Sequence, residues 1–271
     1  MKKVLGIAFA VLIVASIGAA LLISNIWQHD RDSFINLIHR PNEWPWINIP
    51  LFLETDHEET IYLDRKENQL PIQEGDTLRV STSYGEIKII QSDNIQDEVL
   101  FSLSGDLPAH HDWHIQAEKT DQLALYTLEV PAVILNGSNQ TLYLEVHVPR
   151  DLTLDLDLST HVGEITVLGD YGNVNMINQL GAVRFEGSSN NMTFHLNLGD
   201  ADIQLDDFKE IHGAVDLGNI HLAIDDDIDN KHYILETNLG SIQKDAHFYD
   251  TIGGDEVRLS TDLGDIQLER R

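Results

Sequence analysis

One five-residue phrase constrains this chain more than any other feature, because it returns at nearly even spacing through residues 158–271. It reads Gly-Glu-Ile-Thr-Val from Gly163, Gly-Ala-Val-Arg-Phe from Gly181 and Gly-Asp-Ala-Asp-Ile from Gly199. It returns as Gly-Asn-Ile-His-Leu from Gly218, Gly-Ser-Ile-Gln-Lys from Gly240 and Gly-Asp-Ile-Gln-Leu from Gly264. The glycines are 18, 18, 19, 22 and 24 residues apart, and an isolated earlier copy, Gly-Glu-Ile-Lys-Ile, starts at Gly85. Self-similarity at such a period marks an architecture of stacked repeats, in which each unit buries its apolar face only against its neighbours.

Within the phrase, the second and fourth residues after glycine are apolar: Ile165 and Val167, Val183 and Phe185, Ala201 and Ile203, Ile220 and Leu222, Ile266 and Leu268. Lys244 alone breaks the rule. The residues between are mostly polar, which is the period-2 alternation of a half-buried strand. The residue before each glycine is apolar as well: Val162, Leu180, Leu198, Leu217, Leu239 and Leu263. For that residue and the one two after glycine both to face the core, the glycine must absorb a one-residue parity shift, as a bulge or tight corner does, and glycine tolerates the positive φ this needs. The predicted chain turns a corner once per repeat at Gly85, Gly163, Gly181, Gly199, Gly218, Gly240 and Gly264, and stacks the next repeat on top. Six rungs at roughly 4.8 Å make a prism about 30 Å tall. The competing arrangement, an antiparallel meander, calls for two-residue Asn-Gly or Asp-Gly hairpin loops, and the repeat has none.

The rest of the chain fixes the compartment. Lys2 and Lys3 precede an unbroken apolar run over residues 4–23, long enough to span about 30 Å of hydrocarbon, with the basic flank inside. The expectation is a single-pass signal anchor over 1–24, with the C-terminal domain extracytoplasmic at the cell membrane. Secretion after cleavage near Gly18-Ala19-Ala20 is the alternative. Residues 25–60 form a juxtamembrane connector, with Trp27 at headgroup level and Pro41, Trp44-Pro45-Trp46 and Pro50 forbidding regular structure. Residues 61–271 form one all-β domain: front strands over 61–158, then the glycine-turn repeats over 159–271. The chain has 45 acidic against 17 basic residues, a net charge of −28. That excludes nucleic acid as a partner, since a polyanion is repelled. It has no cysteine, so disulfides, thiolate catalysis and cysteine-held metals are excluded.

Leu78-Arg79-Val80 with the Gly85 phrase, Leu144-Glu145-Val146-His147-Val148-Pro149, the alternating strand after it and the Gly-x-Ile-x-Val repeats follow one another in a recognisable order. In this the sequence resembles the bacterial "putative adhesin" family, a domain of unknown function common in envelope proteins of Gram-positive bacteria. The resemblance covers residues 61–271. It implies a right-handed parallel β-helix-like solenoid, an extracytoplasmic site, and a role in adhesion or envelope-stress signalling, with no catalytic residues and no cofactor. The wider steps after Gly218, and Lys244, depart from the pattern at the last two rungs.

Three constellations could carry chemistry. Gly253-Gly254-Asp255-Glu256 imitates a diguanylate-cyclase motif but reads as a loop between rungs. His110-His111-Asp112-Trp113-His114 offers imidazole and carboxylate to a metal such as zinc or nickel, yet consecutive strand residues point alternately, and a solvated loop is the plainer reading. Asp225, Asp226, Asp227 and Asp229 are weak Ca²⁺ candidates, as are Asp206 and Asp207, since neither run follows a known calcium loop. The functional expectation is therefore a non-catalytic, membrane-anchored binding module with a protein or cell-wall partner. A structural or homo-oligomeric scaffold is the alternative, and a glycan-active β-helix enzyme a distant one.

Overall fold

The computed structural model describes residues 60–108, 113–130, 142–225 and 230–271. The apolar run, residues 25–59 of the 25–60 connector, His110, His111, Asp112, Asp226, Asp227 and Asp229 lie outside the described residues. Among the described residues there is no helix, and so none long and apolar enough to cross a membrane. The strands are β1 Thr60–Pro71, β2 Thr77–Tyr84, β3 Glu86–Ser92, β4 Glu98–Pro108, β5 His114–Thr120, β6 Leu123–Glu129, β7 Leu142–Pro149 and β8 Asp155–Val162. They continue as β9 Ile165–Leu168, β10 Tyr171–Leu180, β11 Val183–Leu198, β12 Ala201–Leu217, β13 Ile220–Ile224, β14 Lys231–Leu239, β15 Ile242–Lys244, β16 Asp255–Leu263 and β17 Ile266–Arg270. All belong to one sheet.

Its pairings sort into two parallel ladders. The first runs β6, β2, β8, β10, the second half of β11, the second half of β12, β16 and β14. The second runs β7, β3, β9, the first half of β11, the first half of β12, β13, β17 and β15. Each repeat glycine joins a strand of the first ladder to a strand of the second, so every copy of the phrase contributes one rung to each. The apolar residues after the glycines meet inside: Ile87, Ile165, Val183, Ala201, Ile220 and Ile266 are all buried.

The spatial order departs from the chain order at both ends. The Gly85 copy is not isolated: β2 and β3 stack directly against β8 and β9, and β6 and β7 lie beyond them. At the other end the Gly264 copy, last in sequence, is inserted between the Gly218 and Gly240 copies. The expectation that each repeat stacks on the one before is therefore corrected. Among the described residues the Gly240 copy is the terminal rung, with no further rung to cover it, and Ile242 is 42% exposed. The Lys244 ammonium lies over the Tyr233 ring and pairs with Asp250. Wider steps around Gly240 supply the chain needed to pass to the outer rung and back.

Side chains staple the inserted strand. His221 on β13 sits between Asp202 on β12, 3.0 Å from Nδ1, and Glu269 on β17, 2.9 Å from Nε2. Burial disfavours the imidazolium, but the hydrogen bonds and charges of Glu269 and Asp202 outweigh it and hold the His221 pKa above its ordinary value. Arg271 reaches back to Asp206 at 2.7 Å and Glu186 at 3.0 Å.

The front end is antiparallel. Strand β4 pairs with β1 and β7, and β5 with β6. These strands cap the ladders, with Phe101 stacked on Tyr126 at 4.5 Å in the core beneath them. A capped end is the usual remedy for a ladder whose last strand would otherwise offer unpaired backbone groups.

Candidate interaction surface

The site is built at the corners. Each repeat glycine has a strongly positive φ, +137° at Gly181 and +145° at Gly199. Space is a stricter demand than conformation: a Cβ on Gly199 would lie 1.8 Å from the Gly181 carbonyl oxygen, and one on Gly181 1.8 Å from that of Gly163. The carbonyls stacked here are partly satisfied from inside the corner. Three residues before each glycine a polar or apolar side chain is turned inward, half-buried at Thr237 and buried in the other copies, and several are donors. Asn178 Nδ2 donates to Gly163 O at 2.9 Å, Thr261 Oγ1 to Gly218 O at 3.1 Å and Thr237 Oγ1 to Gly264 O at 3.0 Å. Burying these groups is tolerable because each is hydrogen-bonded.

The residues just before the glycines do not face the core. In the ladder Asn178 pairs with Leu196 and Leu180 with Leu198, while Gln179 is skipped, and the same position is skipped in the neighbouring copies. Alternation is lost there, so the parity shift expected at the glycine falls one to two residues earlier. The two residues before glycine then both point outward. Leu180, Leu198, Leu217, Leu263 and Leu239 are 42%, 45%, 44%, 52% and 62% exposed. They are direct register partners in that order, so they form one continuous apolar row, extended toward the front by half-buried Val162 and Tyr84. Scattered exposed leucines need no explanation, but a contiguous row does.

Polar rows flank it. On one side are the residues after each glycine. Asp200 accepts from the Asn219 backbone at 2.8 Å, Asn219 from that of Asp265 at 2.9 Å, and Asp265 from that of Ser241 at 2.7 Å. The hydrogen bonds from the Ser241 backbone and hydroxyl hold the Asp265 pKa below the usual carboxylate range. Further along this row, burial and then the charge of Glu164 push the Glu86 pKa up. On the other side lie exposed Asp216 and Asp262.

Among the described residues the chemistry-bearing candidates do not assemble into one site. Gly253 and Gly254 form a turn before β16, while Asp255 and Glu256 open that strand, with Glu256 held by Arg258 at 2.8 Å and Asp255 3.4 Å from Lys231, so only the first half of that run is loop. His114 opens β5. Asp225 follows β13, its amide donating to Leu205 O, and Asp206 is engaged by Arg271. Among the described residues no three His, Asp or Glu side chains converge on a point that could hold a metal ion.

No protein-family model and no curated protein matches the chain. Among solved structures, a "putative cell adhesion protein" from Clostridium sporogenes aligns over 77% of this chain and 100% of its own, with TM-score 0.51 and 15% identity. The two share a fold. The shared fold agrees with the family resemblance carried by the repeat phrases. A "putative adhesin" from Bacteroides fragilis aligns over 77% of this chain and 97% of its own at 12% identity, but its TM-score of 0.32 is too low to read a shared fold from it.

The outward row was missed from the sequence. The signal was available three residues before five of the seven glycines, where Thr82, Thr160, Asn178, Thr237 and Thr261 stand. A polar residue repeated at that place fits a buried donor serving the corner carbonyls.

Proposed function

We propose that the protein is a non-catalytic, adhesin-like or envelope-sensing binding module, anchored by its N-terminal apolar segment with its β domain outside the cytoplasm. In this reading the two parallel ladders wind as a short right-handed β-solenoid, with the corner glycines setting its edge. The observation that carries the proposal is the leucine row: apolar side chains held in register along one edge, rimmed by polar groups, have the form of a docking surface. The name of the Clostridium sporogenes neighbour, a cell adhesion protein, points to the same class. A second reading, an oligomeric scaffold, draws on the open end at β15, where Ile242 and Leu239 are exposed.

The chain lacks cysteine, so a single introduced thiol reports topology directly. Thr193→Cys, on the exposed face of β11, is expected to react with a membrane-impermeant maleimide on intact protoplasts. Labelling only after lysis would place the domain on the other side of the membrane and overturn the proposal.

A further inference from the structure

The leucine row lies between two largely polar rows, each of which carries carboxylates. Glu164, Asp200 and Asp265 follow the glycines on one flank; Asp216 and Asp262 precede the leucines on the other. The cations nearby are few: Arg184 lies 3.2 Å from Glu164, and His195 3.4 Å from Asp216. The strip is thus apolar along its centre with carboxylates among the polar residues on both sides, on a chain of net charge −28. A second copy is a poor occupant, because a two-fold pairing of the rows would set one carboxylate-bearing flank against another. An anionic lipid surface is repelled for the same reason.

Length and spacing narrow the occupant further. Five leucines at one per rung span four steps of roughly 4.8 Å, about 19 Å. An α-helix covers that distance in about 13 residues, and its pitch of about 5.4 Å nearly matches the leucine spacing over so short a run. A helix with an apolar stripe and basic edges would therefore bury its stripe along the row while its cations reach both flanks.

We propose that the row Leu180–Leu198–Leu217–Leu263–Leu239 docks a cationic amphipathic helix of a protein partner, with Lys or Arg side chains set against Asp200 and Asp265 on one flank and Asp216 and Asp262 on the other. This rests on the reading of the protein as a binding module and gives its partner a chemistry.

The test uses the full chain in phosphatidylcholine nanodiscs and a fluorescein-labelled 14-residue Leu/Lys peptide with leucines at helical spacing. Binding is read by anisotropy, with empty nanodiscs as the blank. Leu198→Asn/Leu217→Asn changes exposed side chains only and is expected to weaken binding at least about tenfold, since two half-exposed leucines lose their apolar contact. Asp216→Asn/Asp262→Asn is expected to weaken it about threefold and to flatten its dependence on salt. The same peptide with every lysine replaced by glutamate is expected not to bind. Equal affinity of wild type and the leucine variant would overturn the proposal, as would equal affinity for the acidic peptide. A wild-type dimer that the leucine variant dissociates would assign the row to a second copy instead. Topology is read on protoplasts without peptide, so failure of the docking proposal leaves the labelling result standing, and the reverse holds.

Discussion

Gly199→Ala is expected to lower the melting temperature by more than about 8 °C. The new Cβ would lie 1.8 Å from the Gly181 carbonyl oxygen, which belongs to the adjoining rung and cannot move without displacing the ladder on both sides of the corner. A backbone clash of this kind belongs with the few substitutions costing about 4 kcal/mol or more, and in a domain of this size each kcal/mol shifts the transition by about 2–4 °C. Gly75→Ala separates sterics from backbone strain. Gly75 also has positive φ, +78°, but a Cβ there meets nothing within 4 Å. Its cost is the left-handed conformation alone, about 1–2 kcal/mol. Thermal unfolding of the two variants side by side checks the account, and equal shifts would mean that the corner is not sterically closed.

Removing residues 255–271 is expected to be as damaging, although they come last in the sequence. Among the described residues β14 pairs only with β16, and β15 only with β17, so the deletion takes out an inner rung. It strips Val257, Leu259, Ile266 and Leu268 from the core, each contributing about 1.5–3 kcal/mol of burial. It also leaves β14 and β15 without a ladder neighbour. Hydrogen exchange reads this directly: β14 amides should lose protection while β8 and β10 keep theirs. Were the repeats stacked in chain order, the same deletion would remove a dispensable end rung, and β14 would remain protected.

Much of the fold was legible because it is written locally. The alternation after each glycine specifies half-buried strands, and their period specifies that copies lie beside one another, so an all-β domain with in-register copies followed from the residues alone. The swap at each end was not legible, because parallel pairing energy depends on which apolar faces meet and the copies are chemically alike. What distinguishes the Gly240 copy in the sequence is only that Lys244 replaces its apolar fourth position and that the spacings around it are wider. The leucine row was misread for a different reason. Apolar identity favours the inside, and period-2 counting has no means of locating a break in alternation. At three of the five corners the inside place goes instead to Asn178, Thr261 and Thr237, whose donors satisfy glycine carbonyls; at the other two it goes to Leu196 and Val215, which lie in the core. An unpaired buried carbonyl costs about 1–3 kcal/mol, comparable to burying one leucine, so hydrogen bonding competes with burial at these positions.

The outward direction of that row underlies both the proposed function and the proposed partner, and single-cysteine labelling of the purified full chain measures it most directly. With no cysteine in the sequence, Leu198→Cys and Leu196→Cys each carry one thiol, two residues apart on β11. In a regular strand the two would face the same side. In this structure Leu196 is fully buried and Leu198 is 45% exposed. The Leu198→Cys thiol should react with maleimide at the rate of a free surface thiol, and that of Leu196→Cys only after denaturation. Slow labelling of both in the native protein would put the leucines back in the core and contradict the account.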